Sequence, residues 1–158
     1  MKKPLLVCAT LLLTLPALAR DRCLVLGDSI AQGIAMRLSE CDRASRVGIG
    51  THEALKLFSV LPDADTVVIS LGSNDSGLYP FTGGNLREMR GRIHASTVIW
   101  ILPAKPSKHA IVQAVAKDFG DSTLSLEGIL SPDGIHPTGN GYANLAISIR
   151  KCMYYGSK

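Results

Sequence analysis

The chain has 158 residues, with 17 lysines and arginines against 13 aspartates and glutamates, a formal charge of +4. If the first 19 residues are removed, two basic and no acidic residues go with them, leaving 139 residues at +2. That length suits one domain with a real core, and so small a charge gives no indication of a nucleic-acid partner.

The chain opens MKKPLLVCATLLLTLPALAR. Lys2 and Lys3 precede an apolar run from Leu5 to Leu15, Pro16 breaks it, and Ala17-Leu18-Ala19 has the small-x-small pattern of a cleavage site. This is the layout of a secretory signal peptide, residues 1–19, followed by a single domain over 20–158. The run is shorter than the roughly 20 residues that span a bilayer, so no stable membrane anchor is expected. Cys8 precedes most of the run, which argues against a lipoprotein. The expected mature protein is soluble and exported.

After the signal, short apolar runs alternate with segments of helical periodicity. The predicted strands are CLVLG (23–27), SRVGI (45–49), TVVISLG (66–72), TVIWILP (97–103) and STLSL (122–126). Two of these are nearly continuously apolar, as parallel strands covered on both faces should be. Between them lie IAQGIAMRLSE, HEALKLFSVL, NLREMRGRIHA and SKHAIVQAVAKDF, and a last helix over GYANLAISIRKCMYY follows Pro137. The alternation predicts a doubly wound α/β sandwich with a five-stranded, mostly parallel sheet. Arg87, Arg90 and Arg92 read as a solvated helix face, and Trp100 as core. Export favours a disulfide among Cys23, Cys41 and Cys152. Cys23–Cys41 is the first choice, because both should lie at the same end of the sheet. Cys152 should reach that edge too, so the pairing stays open.

Ligands of such sheets bind beyond the carboxyl ends of the strands. Three polar clusters fall there: Gly27-Asp28-Ser29, Gly72-Ser73-Asn74-Asp75 and Asp133-Gly134-Ile135-His136-Pro137. Singly, each has an ordinary explanation as a helix cap or a turn. Together they hold the parts of an acyl-transfer site. Ser29, at a helix start, has backbone N–H groups beside it but needs a base. His136 has Asp133 three residues before it to fix its tautomer, and Asn74 can donate to an oxyanion without changing charge.

These three blocks resemble those of the GDSL, or SGNH, hydrolases, in family order and over essentially the whole mature chain. GDSI matches the nucleophile block, GSND the G-x-N-D block, and DGIHP the D-x-x-H block. The resemblance implies a three-layer flavodoxin-like sandwich and a serine esterase. Ser29 would be the nucleophile, His136 the base and Asp133 the orienting acid, with Ser29 N–H and Asn74 in the oxyanion hole. The family's glycine after the second strand fits less well here. In VGIGTHEAL an ungapped match gives Thr51, whereas a one-residue shift gives Gly50, which is taken as the donor.

The expected function is hydrolysis of short-acyl esters, including O-acetyl groups of an envelope or cell-wall glycan, on a small-molecule or glycan substrate. Activity should rise through about pH 6 to 7.5, as a histidine base loses its proton. The rivals are a non-catalytic glycan-binding module, a lipase or thioesterase, and an amidase with the same triad. No cofactor, metal set or phosphate loop is implied. HEAL (52–55) lacks the second histidine of a zinc-protease motif, since Lys56 stands there. His52, His94 and His109 have no catalytic partner nearby. Tyr79 and Phe81, in the loop after Asn74, are candidates for an acyl-pocket wall or for ordinary loop packing.

Overall fold

A computed structural model describes residues 22–76 and 81–155. Five strands, β1 (Cys23–Gly27), β2 (Asp42–Ser45), β3 (Thr66–Ser70), β4 (Thr97–Ile101) and β5 (Ser122–Leu124), form one sheet in the order β2-β1-β3-β4-β5. Every pairing is parallel. The helices are α1 (Ser29–Ala35), α2 (Thr51–Leu57), α3 (Thr82–Gly91), α4 (Pro106–Phe119) and α5 (Gly139–Tyr155). This is the expected three-layer, flavodoxin-like α/β sandwich.

The continuous apolar runs of β1, β3 and β4 follow from the period of two in a strand, with both faces covered. Leu24, Leu26, Val67, Ile69, Val98 and Trp100 pack with Ala54, Leu86, Met89 and Val112 of α2, α3 and α4. The alternate residues Val25, Val68, Ile99 and Ile101 meet Ile30, Ile34, Leu145 and Ile149 of α1 and α5. Each such side chain, fully buried, contributes about 1.5–3 kcal/mol by leaving water.

Cys23 and Cys41 are disulfide-bonded, tying the start of β1 to the segment after α1. Cys152 is a free, half-buried thiol on α5. Among the described residues no helix is long and apolar enough to cross a membrane.

Some predicted details change. The second strand occupies 42–45, not 45–49. Its register, from Leu24 opposite Asp42 to Gly27 opposite Ser45, ends where β1 ends. As an edge strand with exposed Asp42 and Arg43, it lacks an apolar run. Val47 and Ile49, which supplied the false signal, lie in the following turn; Ile49 is buried and Val47 63% exposed. Arg90 is not a solvated side chain: it makes a bidentate ion pair with Asp121, which also accepts from Trp100 Nε1. Arg87 and Arg92 stay largely at the surface, paired with Asp118 and Glu88.

Candidate active site

The turn from β1 into α1 is built around a backbone contact. Asp28 N–H donates to Ser70 O of β3 at 2.9 Å. At Gly27, which has φ of +140°, a Cβ would stand 1.9 Å from that same Ser70 oxygen, so only glycine fits. Asp28 is the N-cap: its Oδ1 accepts from Ile30 N–H at 3.0 Å, from Ala31 N–H at 3.5 Å and from Ser70 Oγ at 2.9 Å. Asp28 therefore caps, and Ser29 is the first helical residue.

The Asp28 side chain is fully buried. Its Oδ2 and the nearby Ser73 Oγ are buried without a well-formed hydrogen bond. Burial pushes the Asp28 pKa up, against the opposing pull of Ser70, the Ile30 and Ala31 amides, and Ser73. The sequence signal for this structural role was present in the aspartate preceding the helix; its burial was not legible.

The segment between β5 and α5 brings the third cluster to Ser29. Ser131 N–H donates to His136 O at 2.7 Å and Thr138 N–H to Ile129 O at 2.8 Å, closing a tight loop with Gly134 at φ +68°. Within it, Asp133 Oδ1 accepts from Ser131 Oγ, Ile135 N–H and His136 N–H at 2.8, 2.8 and 2.9 Å. Asp133 Oδ2 lies 2.8 Å from His136 Nδ1, and His136 Nε2 lies 2.9 Å from Ser29 Oγ. The Ile135 amide, then the His136 ring and amide and Ser131, hold the Asp133 carboxyl far below the usual carboxylate range. An ionised carboxylate only accepts, so Nδ1 carries the proton and the neutral ring presents Nε2 to accept from the Ser29 hydroxyl. The side chains of His136 and Asp133 are 39% and 47% exposed, so this relay opens to solvent.

Since β2 and β3 flank β1, the segments following β2 and β3 border the Ser29 turn. Asn74 Nδ2 donates to Ile49 O at 3.1 Å, leaving its second N–H without an acceptor among the described residues. Thr51 N–H donates to Asp75 Oδ1 at 2.7 Å. The Thr51 amide is thus occupied, while the Gly50 amide has no acceptor among the described residues. The Ser29 amide is likewise without one. Asp75 itself was a residue to which sequence reading attached no role.

A cleft of about 330 Å³ adjoins these donors, lined by Gly48, Gly50, His52, Lys56, Asn74 and Asp75 among others. Among the described residues, no side chain in its lining is a hydrocarbon or aromatic ring apart from the imidazole of His52. A larger open depression near Cys152, of about 610 Å³, lies at the amino ends of β4 and β5, away from this chemistry. Phe81 immediately precedes α3 and is 68% exposed; Tyr79 lies outside the described residues. His52 and His109 stand on α2 and α4, and His94 follows α3, none of them in the relay. No group of side chains suited to a metal occurs among the described residues.

The chain has the fold of the GDSL, or SGNH, hydrolases. Solved structures that share it include a provisionally assigned acylhydrolase of Bacteroides fragilis, at 20% identity and a TM-score of 0.63, covering 90% of this chain and 91% of that one. A carbohydrate acetylesterase from Sinorhizobium meliloti matches at 16% identity and a TM-score of 0.58, over 85% of this chain and 99% of its own. The C-terminal catalytic domain of a Streptococcus pneumoniae peptidoglycan O-acetyltransferase matches at 17% identity and a TM-score of 0.56, over 85% and 93%. No protein-family profile and no curated protein sequence matches the chain.

Proposed function

We propose that the chain is a serine esterase acting on short-acyl esters, with Ser29, His136 and Asp133 as its catalytic triad. The observation that carries this is the continuous relay from Ser29 Oγ through His136 Nε2 and Nδ1 to Asp133 Oδ2, at 2.9 and 2.8 Å. Ser29 attacks the ester carbonyl as His136 takes its proton, and Asp133 stabilises the imidazolium. The amides of Ser29 and Gly50 and the free N–H of Asn74 receive the oxyanion. His136 then protonates the leaving alcohol, and water repeats the sequence on the acyl-enzyme. Beyond the ester and water, each step draws on groups of the chain itself.

Two features support short acyl groups on a hydroxylated substrate such as a glycan. The triad is solvent-open, and among the described residues the cleft beside the oxyanion donors has no hydrocarbon side chain of the kind a long acyl chain packs against. The acetylesterase and O-acetyltransferase neighbours support the same reading by fold analogy. The signal-like residues 1–19 and the Cys23–Cys41 bridge support export, with the mature domain beginning after Ala19.

The test is turnover of p-nitrophenyl acetate and longer p-nitrophenyl esters by oxidised residues 20–158, beside Ser29→Ala. Acetyl hydrolysis lost in the variant, and declining with chain length in the wild type, is the expected result. Equal rates for folded wild type and Ser29→Ala on every ester would overturn the reading and favour a glycan-binding module.

A further inference from the structure

The pair Asn74-Asp75 grips the backbone of Ile49, Gly50 and Thr51 from both sides. Asn74 Nδ2 donates to the carbonyl of Ile49, at 3.1 Å, and Asp75 Oδ1 accepts the amide of Thr51, at 2.7 Å. Gly50 lies between these two held groups. Asp75 also packs directly on it, since a Cβ added at Gly50 would be 2.9 Å from Asp75 Oδ1.

The carboxylate is anchored in turn. Its Oδ2 accepts from Thr51 Oγ1 and from Thr82 Oγ1, both at 2.6 Å. Asn85 Nδ2 donates to Thr51 Oγ1 at 2.9 Å. Thr51 and Thr82, which open α2 and α3, are each 2% exposed. Short hydrogen bonds to an ionised acceptor in such a sheltered place hold geometry well.

From this we infer that Asp75 is the positioning residue of the oxyanion hole: by binding Thr51 N–H it withdraws that amide and fixes Gly50 N–H as the backbone donor. The inference rests on the esterase reading. A carboxylate near a developing oxyanion would oppose it electrostatically; here its negative charge is directed into three donors, and it acts on the reaction only through the peptide it holds. An alternative in which Asp75 merely ties α2 to α3 makes a different kinetic prediction, because such a tie has no reason to act on the transition state.

The experiment uses oxidised residues 20–158 and p-nitrophenyl acetate, with kcat and KM measured below the melting temperature of each variant. Asp75→Ala is expected to lower kcat by about 10²-fold, the scale of one misplaced oxyanion donor, with KM within about threefold of wild type. Asp75→Asn should fall between the two, because its carbonyl still accepts Thr51 N–H while its amide nitrogen accepts from neither hydroxyl. Thr51 amide exchange should accelerate in Asp75→Ala, and the acid limb of the pH profile should not move.

Gly50→Ala supplies the second arm, and the one that decides if Asp75→Ala does not fold. Its methyl presses on an Asp75 carboxylate that two threonine hydroxyls hold in place; asparagine, which accepts from neither hydroxyl, can yield to it, so the cost in kcat should be smaller in the Asp75→Asn background than in wild type. Wild-type kcat in Asp75→Ala, a loss confined to KM, or additive effects of Gly50→Ala and Asp75→Asn would overturn the inference while leaving the esterase standing. Wild type no faster than Ser29→Ala would instead bring down the esterase reading, and this inference with it.

Discussion

Replacing Asp133 with asparagine tests the relay in a way that the local geometry makes unusually one-sided. Three donors converge on Oδ1: the Ser131 hydroxyl and the amides of Ile135 and His136. The two amides cannot accept, so the asparagine must place its carbonyl oxygen there. Its NH₂ group is then forced into the Oδ2 position, facing His136 Nδ1 across 2.8 Å. Against an amide donor, Nδ1 must accept, and the ring proton moves to Nε2. Nε2 then points an N–H at Ser29 Oγ, where a lone pair is needed. The expected loss in kcat is about 10⁴-fold, the scale of a wrong tautomer in such a triad. The assay is p-nitrophenyl acetate hydrolysis against a Ser29→Ala floor, with circular dichroism to show that the fold persists. Activity within about tenfold of wild type would refute the orienting role. The same geometry shapes the pH profile. Because its donors depress the Asp133 pKa far below the usual range, Asp133 stays ionised throughout the assay. The acid limb should therefore be one proton steep, with no carboxylate step beneath it.

Asn74→Ala should lower kcat by about 10²–10³-fold, since it removes one proposed oxyanion donor and releases the Ile49 carbonyl; unchanged kcat would exclude that role. Cys41→Ser opens an 18-residue link and should lower unfolding free energy by about 3 kcal/mol in urea melts, on the loop-entropy account. A cost below about 1 kcal/mol would show that the bridge adds little. Asp28 carries a signed prediction. Burial raises its pKa, so the folded state binds a proton more readily than the unfolded one, and stability declines as pH rises from the unfolded value through the folded one. Asp28→Asn keeps an acceptor for Ile30, Ala31 and Ser70 without that titration. Measured in urea, wild type should lose ground to Asp28→Asn as the pH is raised above the unfolded carboxylate range. A difference independent of pH would remove the basis of this prediction.

What was legible in the sequence depended on whether a signal was local. Leu24 to Leu26, Val67 to Ile69 and Val98 to Ile101 lie in strands buried on both faces, so their apolar runs marked β1, β3 and β4 directly. β2 has one strand neighbour and an exposed start, so its residues DRAS carried no such mark. The turn residues Val47 and Ile49 drew the prediction downstream. The helix α3 begins at Thr82, earlier than expected, because Thr82 is held by Asp75 despite the unfavourable Gly83 and Gly84 that follow. Arg90 looked solvated until its partner Asp121, 31 residues away, was in place. Gly50 and Thr51 differ for a reason of the same kind: Asp75, 24 residues on, occupies the Thr51 amide. Asp133 and His136, three residues apart, could be paired from sequence for the opposite reason.

The topology explains why one end of this sheet can host two separate tasks. The segment carrying Asp133 and His136 leads into α5, which packs with α1 on one face. Gly50, Asn74 and Asp75 border α2 and α3, which pack on the other face. Ser29, just past the end of β1, lies where the two meet. In the proposed mechanism, proton transfer therefore arrives from one side of the sheet and charge stabilisation from the other. The rigid element they share is the β1 turn, where Gly27 admits Ser70 and the buried Asp28 caps α1. The buried aspartate thus has a physical rationale apart from proton transfer. Its three accepted hydrogen bonds fix the residue beside the nucleophile to both its helix and the neighbouring strand, so Ser29 is held in place before either side of the site engages a substrate.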